Sequence, residues 1–62
     1  MKDTRELMKV GDKSLILVDY ESGRHEYVVG SYYDANAEIG SRWVWGHYFG
    51  TDLTAAVNYI NE

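Results

Sequence analysis

Trp43-Val44-Trp45-Gly46-His47-Tyr48-Phe49 is the stretch of sequence that decides the fold, and Gly50-Thr51-Asp52-Leu53 follows it directly. Large side chains recur there at every second position, which is the period of a β-strand. The pattern predicts a third strand over Arg42 to Phe49, with one face formed by Trp43, Trp45, His47 and Phe49. A glycine weakens a strand, so Gly46 marks a bulge or a close approach of backbone.

A helix is predicted directly after this strand. Thr51 or Asp52 is a good N-cap, because its side-chain oxygen can accept a hydrogen bond from an amide of the first turn. The apolar residues that follow recur at helical spacing and form one stripe: Leu53, Ala56, Val57 and Ile60. A helix of about ten residues is marginal alone in water, so the stripe must pack on the sheet. We expect Leu53, Val57 and Ile60 to be buried.

The preceding part of the chain is predicted to form a β-hairpin. A strand with four consecutive apolar residues is predicted over Ser14 to Tyr20, the turn Glu21-Ser22-Gly23-Arg24 follows, and a second strand runs from about His25 to Tyr33. Pairing across a tight turn predicts Tyr20 opposite His25, Val18 opposite Tyr27, Ile16 opposite Val29 and Leu17 opposite Val28. It also places Asp19 against Glu26, a like-charge pair that only an exposed turn end tolerates.

The remaining segments complete the prediction of an α+β fold. Residues 34–41 are polar and rich in turn formers, which predicts a loose loop before the third strand. Residues 4–10 indicate either a short strand or a capped helical turn, and we favour a strand or extended arm. The prediction is a single domain over residues 1–62: an antiparallel three-stranded meander, with a possible extra N-terminal strand and one C-terminal helix on one face.

Composition narrows the class of protein. A chain of 62 residues without cysteine has no disulfides to stabilise it, and it shows neither a signal-peptide pattern nor a membrane-spanning run. We therefore expect a cytoplasmic protein that contacts no membrane. The net charge of −4 makes nucleic acid an unlikely partner, because nucleic-acid binders present a basic face. Solubility is the ordinary explanation of that charge.

Candidate sites for chemistry are weak. His25 and His47 could join Glu26 or Asp52 in a metal site, but the spacings typical of zinc sites are absent, and a packed histidine is far commoner. The serines lack the motifs of activated nucleophiles. Acids near the hairpin turn are better explained as a solvated turn than as a catalytic pair. We expect no catalytic residue, no metal and no cofactor, and no enzymatic activity.

Aromatic residues carry the functional hypothesis. One helix covers one face of the sheet, and burying Trp43, Trp45 and Phe49 beneath it gains the most. Tyr48 then lies on the outer face, joined by Tyr27 or Tyr32. We expect these three tyrosines to form the interaction face of a non-catalytic module that binds another protein or a second copy. Stacking of single-stranded nucleic acid is the alternative, and a small enzyme comes third.

The segment Trp45-Gly46-His47-Tyr48-Phe49 followed by Asp52-Leu53 and Ala56 resembles the ending of short uncharacterised proteins from bacteria and their mobile elements. In those proteins a G-H-Y-F strand runs into a D-L-x-x-A helix. The resemblance covers roughly residues 14–62. It implies no activity, ligand or partner, so no functional residue is transferred from it.

Overall fold

A computed structural model describes residues 2–62 as a four-stranded antiparallel sheet followed by one helix. The strands are β1 (Asp3–Val10), β2 (Lys13–Asp19), β3 (His25–Ser31) and β4 (Val44–Tyr48), and the helix is α1 (Leu53–Ile60). A short 3₁₀ helix (Ile39–Ser41) precedes β4. The strands are adjacent in chain order. The α+β class and the extra N-terminal strand are confirmed.

The hairpin between β2 and β3 has a different register from the one expected. Val18 lies opposite Glu26 instead of Tyr27, and Asp19 lies opposite His25 instead of Glu26. The turn is the reason, because Tyr20 leaves the strand and its amide donates to the carbonyl of Arg24 at 2.9 Å. The Tyr20 hydroxyl then donates to Oε1 of Glu26 at 2.5 Å. This hydrogen bond gives the carboxylate a partner beside an apolar neighbour.

The helix begins and packs largely as its sequence indicates. Asp52 is the N-cap, and its carboxylate accepts a hydrogen bond from the amide of Ala55 at 3.0 Å. Ala56 and Ile60 are buried against Leu15 and Val29, with Val57 and Phe49 packed around them. Leu53 stays 42% exposed, so its predicted burial is wrong. The packed stripe therefore extends only from Ala56 to Ile60.

The opposite face of the sheet is covered by the segment between β3 and β4, residues 32–43, together with Tyr20. Tyr33 and Trp43 from this segment pack on a second core cluster, Ile16, Val18 and Val28. The prediction that Trp43 lies beneath the helix is therefore wrong. Glycines explain its position, because a Cβ added to Gly30 would lie 2.6 Å from Cδ1 of Trp43 and one on Gly46 would lie 2.5 Å from its Nε1. The indole occupies the space that those absent side chains leave.

Polar contacts tie this covering segment to β1. The hydroxyl oxygens of Thr4 and Tyr33 lie 2.7 Å apart, and Nη1 of Arg42 donates to Oγ1 of Thr4 at 2.7 Å. Nε of Arg42 also donates to the carbonyl of Ala37 at 3.0 Å. Arg42 therefore joins the covering segment to the first strand, a role that the sequence pattern did not reveal.

Candidate interaction surface

Two exposed aromatic residues have unusual backbone conformations. Tyr32 has φ 57° and Trp45 has φ 52°, and within residues 2–62 they are the two non-glycine residues with positive φ. A bulky side chain in this left-handed region costs about 1–3 kcal/mol unless its surroundings compensate. Their side chains are nonetheless 61% and 74% exposed. Burial therefore does little to offset the strain.

A β-bulge places Trp45 at the surface. Val44 pairs with Ser31 and His47 pairs with Val29, so Trp45 and Gly46 interrupt the regular ladder between β3 and β4. Gly46 lies against the indole of Trp43 on the side of the covering segment. Trp45 lies instead with the helix-side residues His47 and Tyr59, and its ring contacts that of Tyr32. Its predicted burial under the helix is wrong, because it lines the rim of a cleft beside Tyr59 and stays 74% exposed.

Tyr32 is held in place by its own backbone. Its amide donates to the carbonyl of Asp12 at 2.9 Å, which fastens it to the turn between β1 and β2. The rings of Tyr32 and Trp45 have centroids 6.0 Å apart and planes inclined at 60°. We call Tyr32, Val44 and Trp45 the Trp45 surface, and Val44 is 46% exposed. Two separate backbone features thus support one exposed aromatic pair.

A small cleft of about 160 Å³ adjoins this surface, and Lys13, His47 and Tyr59 line it together with Trp45. Nζ of Lys13 lies 5.3 Å from the centre of the Tyr59 ring, within the range of a cation–π contact. The His47 ring lies 4.7 Å from that of Tyr59. The cleft therefore combines a cation with aromatic walls.

The three tyrosines predicted as the interaction face do not lie together. Tyr27 is half-buried on the helix side, where it packs against the cluster that contains Leu15 and Ile60. Tyr48 is 61% exposed but lies opposite Val28, on the face that the covering segment occupies. Tyr32 contacts Trp45, a residue that the sequence analysis assigned to the core. The glycine at position 46 was the available signal for that displacement.

A larger and more polar cleft of about 500 Å³ lies between the hairpin turn and the turn before α1. Its lining includes Tyr20, Arg24, His25, Glu26 and Thr51. The hydrogen bond to Glu26, aided by burial, raises the pKa of the Tyr20 hydroxyl. A raised pKa keeps the phenol protonated, which is unfavourable for a catalytic base at neutral pH.

Wider comparisons give no further guide to function. The chain matches no family model, no curated protein and no solved structure. Within residues 2–62, no three histidine, aspartate or glutamate side chains gather as a metal site would require. In the same part of the chain, the structure contains no helix that is both long and apolar enough to cross a membrane.

Proposed function

We propose that this protein is a non-catalytic interaction module whose contact surface is the Trp45 surface. One observation carries the proposal: the two non-glycine residues with positive φ within residues 2–62 are also the two exposed aromatics that contact each other. Strained backbone is retained where it serves a function, and exposed tryptophan and tyrosine are the residues that dominate binding energy in interfaces. The constrained backbone at Trp45 lowers the ordering cost of binding.

The charge of the domain indicates the chemistry of that partner. Residues 14–62 contain seven acidic residues and two arginines, and one of the arginines, Arg42, is engaged with Thr4 and Asp3. An acidic domain attracts basic segments and repels acidic ones. We propose a protein partner that is basic overall and presents an apolar side chain to Trp45. Its place is the cytoplasm, in keeping with a chain that lacks cysteine.

A randomised peptide library displayed on phage tests this proposal, with selection on the wild-type protein and counter-selection on Trp45→Gly. Glycine accepts a positive φ, so this variant should fold with no loss of stability while removing the indole. We expect enriched peptides to be basic and apolar and to bind the variant at least about tenfold more weakly, a loss of about 1.4 kcal/mol. Peptides that bind both proteins equally would refute the proposal.

Tyr48→Ala is the matched control, because Tyr48 is as exposed as Tyr32 but lies on the other face. Selected peptides should bind this variant as they bind the wild type. Loss of binding on Tyr48→Ala, with binding retained on Trp45→Gly, would instead assign the interface to the face that the sequence analysis favoured.

Single-stranded nucleic acid is a second candidate because Lys13 lies beside the exposed aromatic pair. A lysine next to stacking platforms is the arrangement that such binders use. Titration with oligo-dT at low salt tests it by the fluorescence of Trp45 in a Trp43→Phe background. Quenching that disappears on Lys13→Ala and at high salt would support nucleic acid over protein.

A further inference from the structure

β1 forms one edge of the sheet and pairs with β2 alone. It is eight residues long, and every side chain on it except that of Thr4 is exposed. The backbone groups on its outer side therefore have no strand partner, and long exposed edges of this kind favour association with another strand. Three apolar side chains accompany that edge: Leu7, Met8 and Val10, which are 42%, 37% and 42% exposed.

The second half of β1 is accessible to a partner. The covering segment reaches β1 at Asp3 and Thr4, through Arg42 and Tyr33. The helix packs mainly on β2 and β3. Arg5 to Val10 is therefore the part of the edge that another strand could approach without displacing either cover.

A bulge brings two opposite charges to one face of this edge. The register shifts between Glu6 and Met8, so that Glu6 lies opposite Ile16 and Lys9 lies opposite Ser14. Ile16 and Ser14 are two residues apart on β2 and share a face, and hence Glu6 and Lys9 share it too. The single salt bridge within residues 2–62 joins Arg42 and Asp3. In that part of the chain neither Glu6 nor Lys9 has an ionic partner. The Glu6 carboxylate accepts a hydrogen bond from the Ser14 hydroxyl, and its remaining lone pairs can still accept from a cation.

A second copy of the same strand satisfies these charges in one antiparallel register. When Glu6 faces Lys9 of the second copy, Leu7 faces Met8 of that copy, and two-fold symmetry repeats both pairs. In this register Arg5 faces Val10 of the second copy, and both lie on the face of Leu17 and Lys13. A shift of one residue would set Arg5 opposite Lys9, whose side chain lies on the other face with Ser14. The register that pairs Glu6 with Lys9 therefore keeps both outer pairs on a common face of the joined sheet.

We propose that two copies of this chain associate through β1, pairing Arg5 to Val10 antiparallel and joining two four-stranded sheets into one. Charged edge residues ordinarily prevent association with other strands, because a foreign strand leaves their charges unmatched. In this register the same charges are complementary and admit a second copy. This dimer leaves the Trp45 surface, at the other edge, open to the partner of the proposed function.

Sedimentation velocity from about 10 μM to about 1 mM, a range suited to weak association, tests the dimer. We expect the wild-type mass to rise towards twice 7.1 kDa. Lys9→Glu should weaken association at least about tenfold, because like charges then face each other. Adding Glu6→Lys to it should restore association, since both ion pairs re-form with reversed polarity. Circular dichroism and chemical denaturation confirm that each monomer is folded.

Arg24→Glu is the matched control, because it makes the same change of net charge at the exposed hairpin turn. It should leave the dimer intact. A wild type that stays monomeric over the whole range would overturn the inference, as would a double variant that fails to recover although it is folded. A dimer that Trp45→Gly disrupts and Lys9→Glu spares would also overturn it, by assigning self-association to the Trp45 surface. None of these outcomes depends on peptide binding.

Discussion

The two faces of the sheet are closed by different kinds of cover. On one face a capped helix packs Ala56 and Ile60 against Leu15 and Val29. On the other face an irregular segment packs Trp43 and Tyr33 against Ile16, Val18 and Val28. The helix buries small and branched side chains, and the segment buries large rings. A domain of this size buries only about 60% of its unfolded surface, so it depends on both covers.

The difference shows which sequence features specify each cover. The helix side depends on a periodic stripe, which is a pattern within one element. The other side depends on two positions without a side chain, because Trp43 fits only where Gly30 and Gly46 present no Cβ. Those glycines belong to β3 and to the bulged β4, so this fit is formed between elements that are distant in sequence.

The largest expected effect comes from the helix side. Ile60 is 1% exposed, and Ile60→Ala should lower the free energy of unfolding by about 2–5 kcal/mol, through lost burial and the cavity left behind. A domain of this length has roughly 3–9 kcal/mol in total, so much of the variant should be unfolded. Urea denaturation followed by circular dichroism measures the change.

Leu53→Ala is the control on the same helix. Leu53 is 42% exposed, and its truncation should cost less than about 1 kcal/mol. Equal losses at the two positions would mean that the helix packs by its whole predicted stripe, and the observed burial of its second half alone would be wrong.

The face under the covering segment is tested by adding a methyl group where Trp43 packs, instead of by removing a side chain. A methyl group on Gly30 would lie 2.6–2.8 Å from three side-chain atoms of Trp43, closer than carbon atoms approach without movement. Gly30→Ala should therefore destabilise the domain by about 1–3 kcal/mol, the usual cost of overpacking. The midpoint of urea unfolding should fall accordingly.

Two comparisons isolate the cause of that loss. Gly40→Ala adds the same methyl group where no atom lies within 4 Å, and it should be nearly neutral. In a Trp43→Ala background the penalty of Gly30→Ala should largely disappear, because the obstructing ring is gone. A penalty that persists there would show that the strand itself requires glycine at this position.

The sequence predicts the helix side more fully than the side of the covering segment, for physical reasons. Local periodicity and the Asp52 cap locate the helix, and alternation with a glycine-containing turn locates the hairpin. The sequence also predicts the extra N-terminal strand and the irregularity at Gly46. The exact register of the hairpin eluded prediction because it depends on where the turn closes, and Tyr20 leaves the strand so that its amide donates to the carbonyl of Arg24.

The aromatic surface was predictable only in part. Tyr48, with Tyr27 or Tyr32, was expected on an uncovered face; Tyr48 and Tyr32 are exposed, although the covering segment occupies the face of Tyr48. The positions of Trp43 and Trp45 do not follow, because the bulge places these two residues on opposite faces although they are two apart in sequence. A pattern of large residues shows that some must be buried and some exposed. The bulge decides which ones.

A smaller loss of stability is expected when the N-cap of the helix is removed. Asp52 caps the helix through its bond to the amide of Ala55, and Asp52→Ala should cost about 1 kcal/mol. Asp52→Asn should retain most of the stability, because asparagine caps equally well. Thr51→Ala is the neighbouring control and should change little. Thermal unfolding ranks the stabilities of the three variants. A large loss of stability for Thr51→Ala would show that Thr51, and not Asp52, is the N-cap.

The smallest effect concerns Tyr20, which packs on the face of the covering segment. Its hydrogen bond to Glu26 raises the pKa of its hydroxyl in the folded protein. A raised folded-state pKa contributes stability that is complete below the unfolded value, about 10, and is lost as the pH rises through the folded value. Tyr20→Phe should therefore be less stable than the wild type at pH 8, by less than about 1 kcal/mol in so exposed a setting.

The difference between these two proteins should shrink as the pH rises above about 10, because the wild type alone loses the contribution of the Tyr20 phenol. Urea denaturation at several pH values from neutral to alkaline measures it. Tyr32→Phe is the matched control, since it removes a phenol beside the turn between β1 and β2, at the opposite end of the β2–β3 hairpin from the Glu26 contact. A stability difference for Tyr20→Phe that is constant across this pH range would show that the hydroxyl contributes through packing alone.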